Sequence, residues 1–300
     1  MMKFLTFAVE TLPGDQLGVL LESGGIFNVT LAAARSGAAA PATMLSLIQA
    51  GEGGVRAIRE LLQRCEDEWT FPQDAVKFRP PLSNGKNVFC VGRNYREHII
   101  EGNRANGRPE NQFPEAIEFF TKPATALVGH RGRVLRHEAL TNSLDYEVEL
   151  AIVIGKKGTN IAQADALDHV FGFTVVNDIT ARDLQKRHGQ WFKGKALDTT
   201  CPMGPVITHR SAIPDPNDLR LTLEVNGEMR QDHRTSDMIF SVQRIIEELS
   251  AGMTLEPGDV VSTGTPQGVG FAMVPPRCLQ VGDVVRATVE RIGTLENTVV

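Results

Sequence analysis

Residues 145–155 read Asp145-Tyr146-Glu147-Val148-Glu149 and then LAIVIG, alternating carboxylates that run directly into a strongly apolar stretch. Side chains alternate across a strand with period two, so a strand here puts residues 145, 147 and 149 on one face. Three like charges this close and drawn toward the interior are unfavourable, and a bound divalent cation is the simplest compensation. The competing reading is a solvated strand face, which the apolar continuation makes less natural. A further acid, Asp178, ends the run FTVVND, where it is either a cap for the following helix or a third oxygen ligand held at a strand end. An all-oxygen set without a cysteine or histidine cluster points to Mg²⁺ or Mn²⁺ rather than Zn²⁺.

Outward from this segment the chain reads as β for most of its length. ELAIVIG, HVFGFTVVN, PVITH, LRLTLEVNGE, DVVSTG and VVRATVERIG are β-prone runs separated by glycine and proline turns, with helices expected at 180–188 and 238–250. This is a β-dominated α+β pattern rather than a βαβ repeat, and it argues against a dinucleotide-binding fold. Upstream, residues 4–29 read as a strand meander, and Met44, Leu47, Ile48 and then Val55, Ile58, Leu61, Leu62 recur at helical spacing on either side of a break at Gly51–Gly54. The proline-containing stretch 68–85 reads as extended chain, so we expect a small N-terminal α+β domain over 1–72, a linker over 73–85 and a catalytic domain over 86–300. NVFCVG at 87–92 reads as a buried strand, YREHIIEGNR as a helix, and 102–114 as a polar loop that closes over the site when ligand binds.

His98 and Glu101 are three apart in YREHIIE, so on a helix their side chains can meet. An imidazole oriented by a carboxylate is a general base, although a lone pair of this spacing is commonly just a surface contact. The loop Thr263-Gly264-Thr265-Pro266-Gln267-Gly268-Val269-Gly270 follows a strand, and its glycines let backbone N–H groups approach an anion. It lacks the ending of a Walker loop, which disfavours nucleotide binding. Lys195 in WFKGKALDTT is by itself an ordinary lysine.

The 300 residues, with 42% apolar and 22% charged side chains, suffice for a substantial core and exclude disorder. Thirty-one basic against thirty-six acidic residues give a net charge of −5 without a long basic run, which argues against nucleic acid and anionic membranes. The opening MMKFLTFAVE is too short for a signal peptide, and no apolar run reaches the roughly 20 residues of a membrane span, so a cytoplasmic protein is expected. Cys65, Cys90, Cys201 and Cys278 are scattered without a C-x-x-C pair, as expected for reduced, structural cysteines.

VGRNYREHIIE, FTKPATAL, DYEVELAIVIGK, VVNDITARDLQ, KALDTTCPMGP, LEVNGE, LEPGDVVSTGTPQGVG and VGDVV together, in this order, closely resemble the fumarylacetoacetate hydrolase family over about residues 86–300. The resemblance implies a mixed β-roll catalytic domain, a Mg²⁺ or Mn²⁺ site, a homodimer and a small-molecule 2-oxo acid substrate. It implies that Glu147, Glu149 and Asp178 are the metal ligands, with Asp145 outside the set. It also implies that His98 and Glu101 activate water, with Lys195 as a further catalytic residue, and that Arg182, Gln185 and Thr265 bind substrate. The segment after Glu101 looks longer than in compact family members. The activity expected on this basis is hydrolysis of a C–C bond in an acylpyruvate or related 2,4-dioxo acid, releasing pyruvate through its enolate, with a role in aromatic catabolism. Decarboxylation of an oxaloacetate-type acid, isomerisation and hydration are the rivals within the fold. A non-catalytic binding protein is the rival outside it, disfavoured because the dyad and the acidic set are both intact.

Overall fold

The computed structural model describes residues 1–64, 67–83 and 85–300. Cys65 therefore lies outside the described residues, whereas Cys90, Cys201 and Cys278 are free thiols, the first two buried. The fold is the β-dominated α+β arrangement expected from the sequence.

The strands that matter for the site are β1 (Lys3–Ala8), β2 (Gln16–Leu20), β3 (Ile26–Asn28), β4 (Thr70–Phe71), β5 (Val88–Gly92), β6 (Glu118–Lys122), β7 (Val148–Ile154), β8 (Val170–Asn177), β9 (Cys201–His209), β10 (Arg220–Val225), β11 (Glu228–Arg234), β12 (Val260–Ser262), β13 (Val284–Val289) and β14 (Gly293–Val299). A large mixed sheet runs in the order β4-β3-β2-β1-β9-β8-β7-β12-β5-β6. A smaller sheet contains β11-β10-β13-β14. The N-terminal meander is stitched into the large sheet, because Lys3 and Phe4 of β1 pair antiparallel with Thr208 and Ile207 of β9.

All seven residues of β7 and all eight of β8 are buried. Both faces of these central strands are covered, which explains why their sequences are nearly continuous apolar runs rather than alternating ones. Leu150, Ile152 and Ile154 of β7 pack toward the small sheet and α6 (Val242–Ser250), in a core with Leu223, Ala287 and Ile246. Ala151 and Val153 face the other way, toward α2 (Met44–Leu62), in a core with Leu47, Ile48, Val55 and Ile58. Helix α2 bends at Gly51, whose φ of 55° and ψ of −138° only glycine tolerates easily, and the kink divides the two apolar sets seen in the sequence. No helix among the described residues is long and apolar enough to cross a membrane.

The expectation that 145–149 forms one strand is corrected. Leu144–Asp145 pairs with Thr180–Ala181 in a separate two-stranded piece, and β7 begins only at Val148. Side chains replace the ladder at the break: the Glu147 amide donates to Asn177 Oδ1 at 3.0 Å and the Val148 amide to Gln231 Oε1 at 3.0 Å. The loop expected from residue 102 also starts later, because α3 (Arg96–Ala105) continues through the first residues of that stretch. The Asn103 amide group donates to the carbonyls of Pro109 and Gln112, each at 3.1 Å, and so folds the polar segment back on the helix end.

Candidate active site

The ends of β5, β7 and β12, the start of α3 and the segment 178–195 surround a cavity of about 540 Å³ lined by His98, Glu147, Glu149, Asp178, Arg182, Gln185, Lys195 and Thr265 among others. The structure thus collects almost every residue singled out from the sequence. Glu101 stands behind His98, with its Oε1 2.9 Å from His98 Nδ1. Helix α3 supplies the i, i+3 spacing, and the Gly268 N–H donates to both Glu101 oxygens at 3.1 and 3.0 Å. The pair is therefore held from the far side, unlike a surface helix contact.

Glu147, Glu149 and Asp178 are buried and each offers an oxygen within 4.8 Å of the others. Glu149 Oε2 accepts from the Ser262 hydroxyl at 2.6 Å and from the Gly264 N–H at 3.0 Å. Burial pushes the Glu149 carboxyl well up, and the neighbouring Asp178 and Glu147 charges add to this. For Glu147 burial again opposes ionisation, but Lys195 and Arg182, aided by His98, outweigh it and hold the carboxyl below its ordinary range. Three buried hard oxygens converging at this separation fit a divalent cation such as Mg²⁺ or Mn²⁺.

Asp178 is not a helix cap, since α4 (Arg182–Arg187) starts after Ala181. Its two oxygens instead accept from Lys122 Nζ at 2.7 Å and Lys195 Nζ at 2.6 Å. Lys195 also donates to Glu147 Oε2 at 2.7 Å. Although burial disfavours the ammonium, Asp178 and Glu147 raise its pKa, so Lys195 is a fixed positive charge. Arg182 reaches Asp145 Oδ2 at 2.9 Å and Glu147 Oε1 at 2.7 Å, with its guanidinium 4.5 Å from the centre of the Phe271 ring. Gln185 Oε1 is 3.4 Å from Arg182 Nη1. The Thr265 hydroxyl donates to the Val148 carbonyl at 2.9 Å.

The glycine-rich loop does approach anions, but they are the protein's own carboxylates. Gly264 serves Glu149, Gly268 serves Glu101, and Gly270 and Phe271 donate to Asp145 at 2.8 and 3.1 Å. One loop therefore sets the positions of a triad carboxylate, the dyad carboxylate and the partner of Arg182. A Cβ on Gly268, where φ is +102°, would lie 2.1 Å from the Arg230 carbonyl oxygen, so the close approach requires glycine.

Four further residues shape the site without having been singled out. Lys122 is fully buried, and its only sequence signal is its place in the FTKPATAL block. Gln231 is also fully buried; its amide donates to Thr265 Oγ1 at 2.9 Å and to the Pro266 carbonyl at 2.8 Å. Asn94 ties Thr263 to Phe240 through its side chain. Trp191 lines the cavity and meets Phe120 edge-on at 5.6 Å. Replacing Lys122 by Met should lower the unfolding free energy by about 3 kcal/mol, the lower end for uncoupling a buried ion pair, because Lys195 still serves Asp178. A wild-type midpoint in urea would contradict this. A Cβ on Gly92 would come within 2.0 Å of Trp191 Cζ3. Gly92→Ala should therefore displace the indole from the cavity wall, shift the tryptophan fluorescence and weaken ligand binding; unchanged emission and affinity would show that the ring does not depend on this contact.

Residues 87–300 match the family model described as fumarylacetoacetate (FAA) hydrolase, C-terminal. A relative from Bacillus subtilis (strain 168), the oxaloacetate tautomerase YisK, is 48% identical over 267 residues, which cover 86% of this chain and 87% of that protein. The fumarylacetoacetate hydrolase of psychrophilic Exiguobacterium antarcticum superposes with a TM-score of 0.81 at 40% identity, covering 100% of this chain and 99% of the other. A maleylpyruvate hydrolase from Sphingobium sp. SYK-6, solved with manganese(II) and pyruvate, gives 0.77 at 32% identity with 100% and 99% coverage. The ordered sequence blocks, the fold and the buried acidic triad thus agree with these similarities: the chain belongs to the fumarylacetoacetate hydrolase family.

Proposed function

We propose that this chain is a divalent-cation-dependent enzyme of short 2-oxo acids, and that its main reaction is keto–enol tautomerisation of an oxaloacetate-type diacid. The observation that carries the reading is the braced His98–Glu101 pair, whose histidine lines the cavity that also holds the acidic triad, the buried Lys195 and the partly buried Arg182. The similarity to an oxaloacetate tautomerase, over most of both chains, supports the choice of reaction.

Glu147, Glu149 and Asp178 would hold the cation, Mg²⁺ or Mn²⁺, which would supply Lewis acidity toward the 2-oxo and carboxylate oxygens. Keto and enol forms differ in the position of one proton. In our reading His98 takes the proton from the carbon next to the 2-oxo group, and Glu101 keeps the ring oriented and stabilises the imidazolium. The proton is then returned to the enolate oxygen. Lys195 and Arg182 set positive charge beside the position where the enolate develops, and this preorganised charge lowers the barrier without rearrangement. Gln185 and Thr265 also line this cavity, and the Gln185 amide NH₂ is the donor we assign to the substrate's carboxylate end, since the Thr265 hydroxyl hydrogen is held by the Val148 carbonyl.

A second reading, hydrolysis of an acylpyruvate, is favoured by the same dyad, which can take a proton from water as readily as from carbon, and by the similarity to a maleylpyruvate hydrolase. Here water adds to the distal carbonyl, the C–C bond breaks, and a carboxylic acid and pyruvate are released. The two are separated by following loss of the enol absorbance of oxaloacetate and release of pyruvate from acylpyruvates on one Mg²⁺-loaded preparation. We expect faster enol loss than in buffer and slow acylpyruvate cleavage; efficient cleavage without enol turnover would replace the first reading by the second.

A further inference from the structure

The rim of the cavity carries positive charge that the triad does not use. Arg108 and Lys186 are exposed residues that line the cavity, and among the described residues neither has an acidic partner within ion-pair distance. Arg104 and Arg93 beside them are engaged: Arg104 pairs with Glu110 at 2.8 Å, and Arg93 contacts Glu118 at 3.2 Å and the Gln112 carbonyl at 2.6 Å. The acid nearest in sequence to Lys186 on the cavity wall, Asp183, is spent on the Thr141 hydroxyl and the Asn142 and Leu184 amides. Arg108 is also placed by the fold. Its N–H donates to the Asn103 carbonyl at 2.8 Å, while the Asn103 side chain, almost fully buried, clamps the carbonyls of Pro109 and Gln112 on the far side of the turn. The turn that interrupts the long polar segment thus fixes the backbone of an uncommitted guanidinium at the mouth of the site.

We infer that Arg108 and Lys186 form a rim subsite for a second anionic group, the carboxylate of a 2-oxo diacid that lies away from the triad. This rests on the 2-oxo acid reading above and assigns the residues that would recognise the second carboxylate, through which diacids are preferred over monoacids of the same length. A guanidinium offers paired N–H donors to a carboxylate, and an ammonium adds a second charge from the helix α4 side. Both are exposed and screened, so the rim selects among substrates and contributes little to the chemical step.

The test titrates Mg²⁺-loaded wild type, Arg108→Ala, Lys186→Ala, the double variant and Arg108→Lys with oxaloacetate and with 2-oxobutyrate by calorimetry, and follows turnover in parallel. We expect the double variant to lose about tenfold of the diacid-over-monoacid preference, chiefly in affinity and KM rather than kcat, with Arg108→Lys retaining most of it. Raising the salt should narrow the wild-type preference in the same way. A preference equal in wild type and double variant would overturn the rim subsite whatever the turnover shows. Preference lost in the double variant, with no tautomerisation or cleavage by wild type, would leave the subsite standing and overturn the reaction proposed above. Failure of wild type to bind either acid would overturn both.

Discussion

Replacing His98 by Ala is expected to reduce kcat by about 10²–10⁴-fold, the usual cost of removing a general base. Binding of the cation and of oxalate, a mimic of the pyruvate enolate, should persist. The separation follows from the architecture. His98 enters the cavity from α3, whereas the triad comes from the start of β7 and the end of β8 and is braced by Ser262, Gly264, Lys122 and Lys195. None of those braces passes through His98. Glu101→Gln should do part of the same damage, since Gly268 donates to both carboxylate oxygens and an amide NH₂ cannot accept in place of one of them. A His98→Ala enzyme with kcat within a few-fold of wild type would remove the histidine from the reaction.

Glu149→Gln is expected to weaken Mn²⁺ binding by about 100-fold or more, because loss of a ligand should cost at least as much as the 10–100-fold typical of outer contacts. The reason is directional as well as electrostatic. Glu149 Oε2 already receives two donors, the Ser262 hydroxyl and the Gly264 N–H. The amide oxygen of a glutamine must take that position, since an NH₂ cannot accept from them. Its NH₂ is then turned toward Glu147 and Asp178, where a cation requires an acceptor. Chelation should abolish turnover of the wild type and added Mg²⁺ or Mn²⁺ should restore it. Equal Mn²⁺ affinity for wild type and Glu149→Gln by calorimetry would exclude Glu149 from the site.

The parts of the site readable from the chain are those where a local pattern and a chemical need coincide. The E-x-E spacing put Glu147 and Glu149 together, the three-residue interval put His98 over Glu101, and the apolar runs around them marked the central strands. Asp145 shows the limit of such reasoning. Alternation assigned it to the same face, but the strand breaks at Tyr146 and Glu147, where Asn177 and Gln231 take the backbone donors from distant positions in the sequence. The glycines of the 263–270 loop show that its N–H groups can approach an anion, but only the folded chain shows that they receive the protein's own Glu101, Glu149 and Asp145. Lys122 and Gln231 could not be singled out by periodicity, because their importance comes from partners 56 and 34 residues away. The continuation of α3 to Ala105 was hidden in the same way, since its polar end is held by Asn103 contacts across the following turn rather than by an apolar stripe.

In the proposed function the braced dyad moves a proton at a 2-oxo acid only when the triad holds its cation. This dependence is tested most directly by stopped-flow decay of the enol form of oxaloacetate on wild-type protein with Mg²⁺, on the same protein after chelation, and on His98→Ala with Mg²⁺. We expect acceleration over buffer with the first sample and near-buffer rates with the other two. Acceleration that survives either chelation or loss of His98, or none with the intact, Mg²⁺-loaded protein, would contradict the claim.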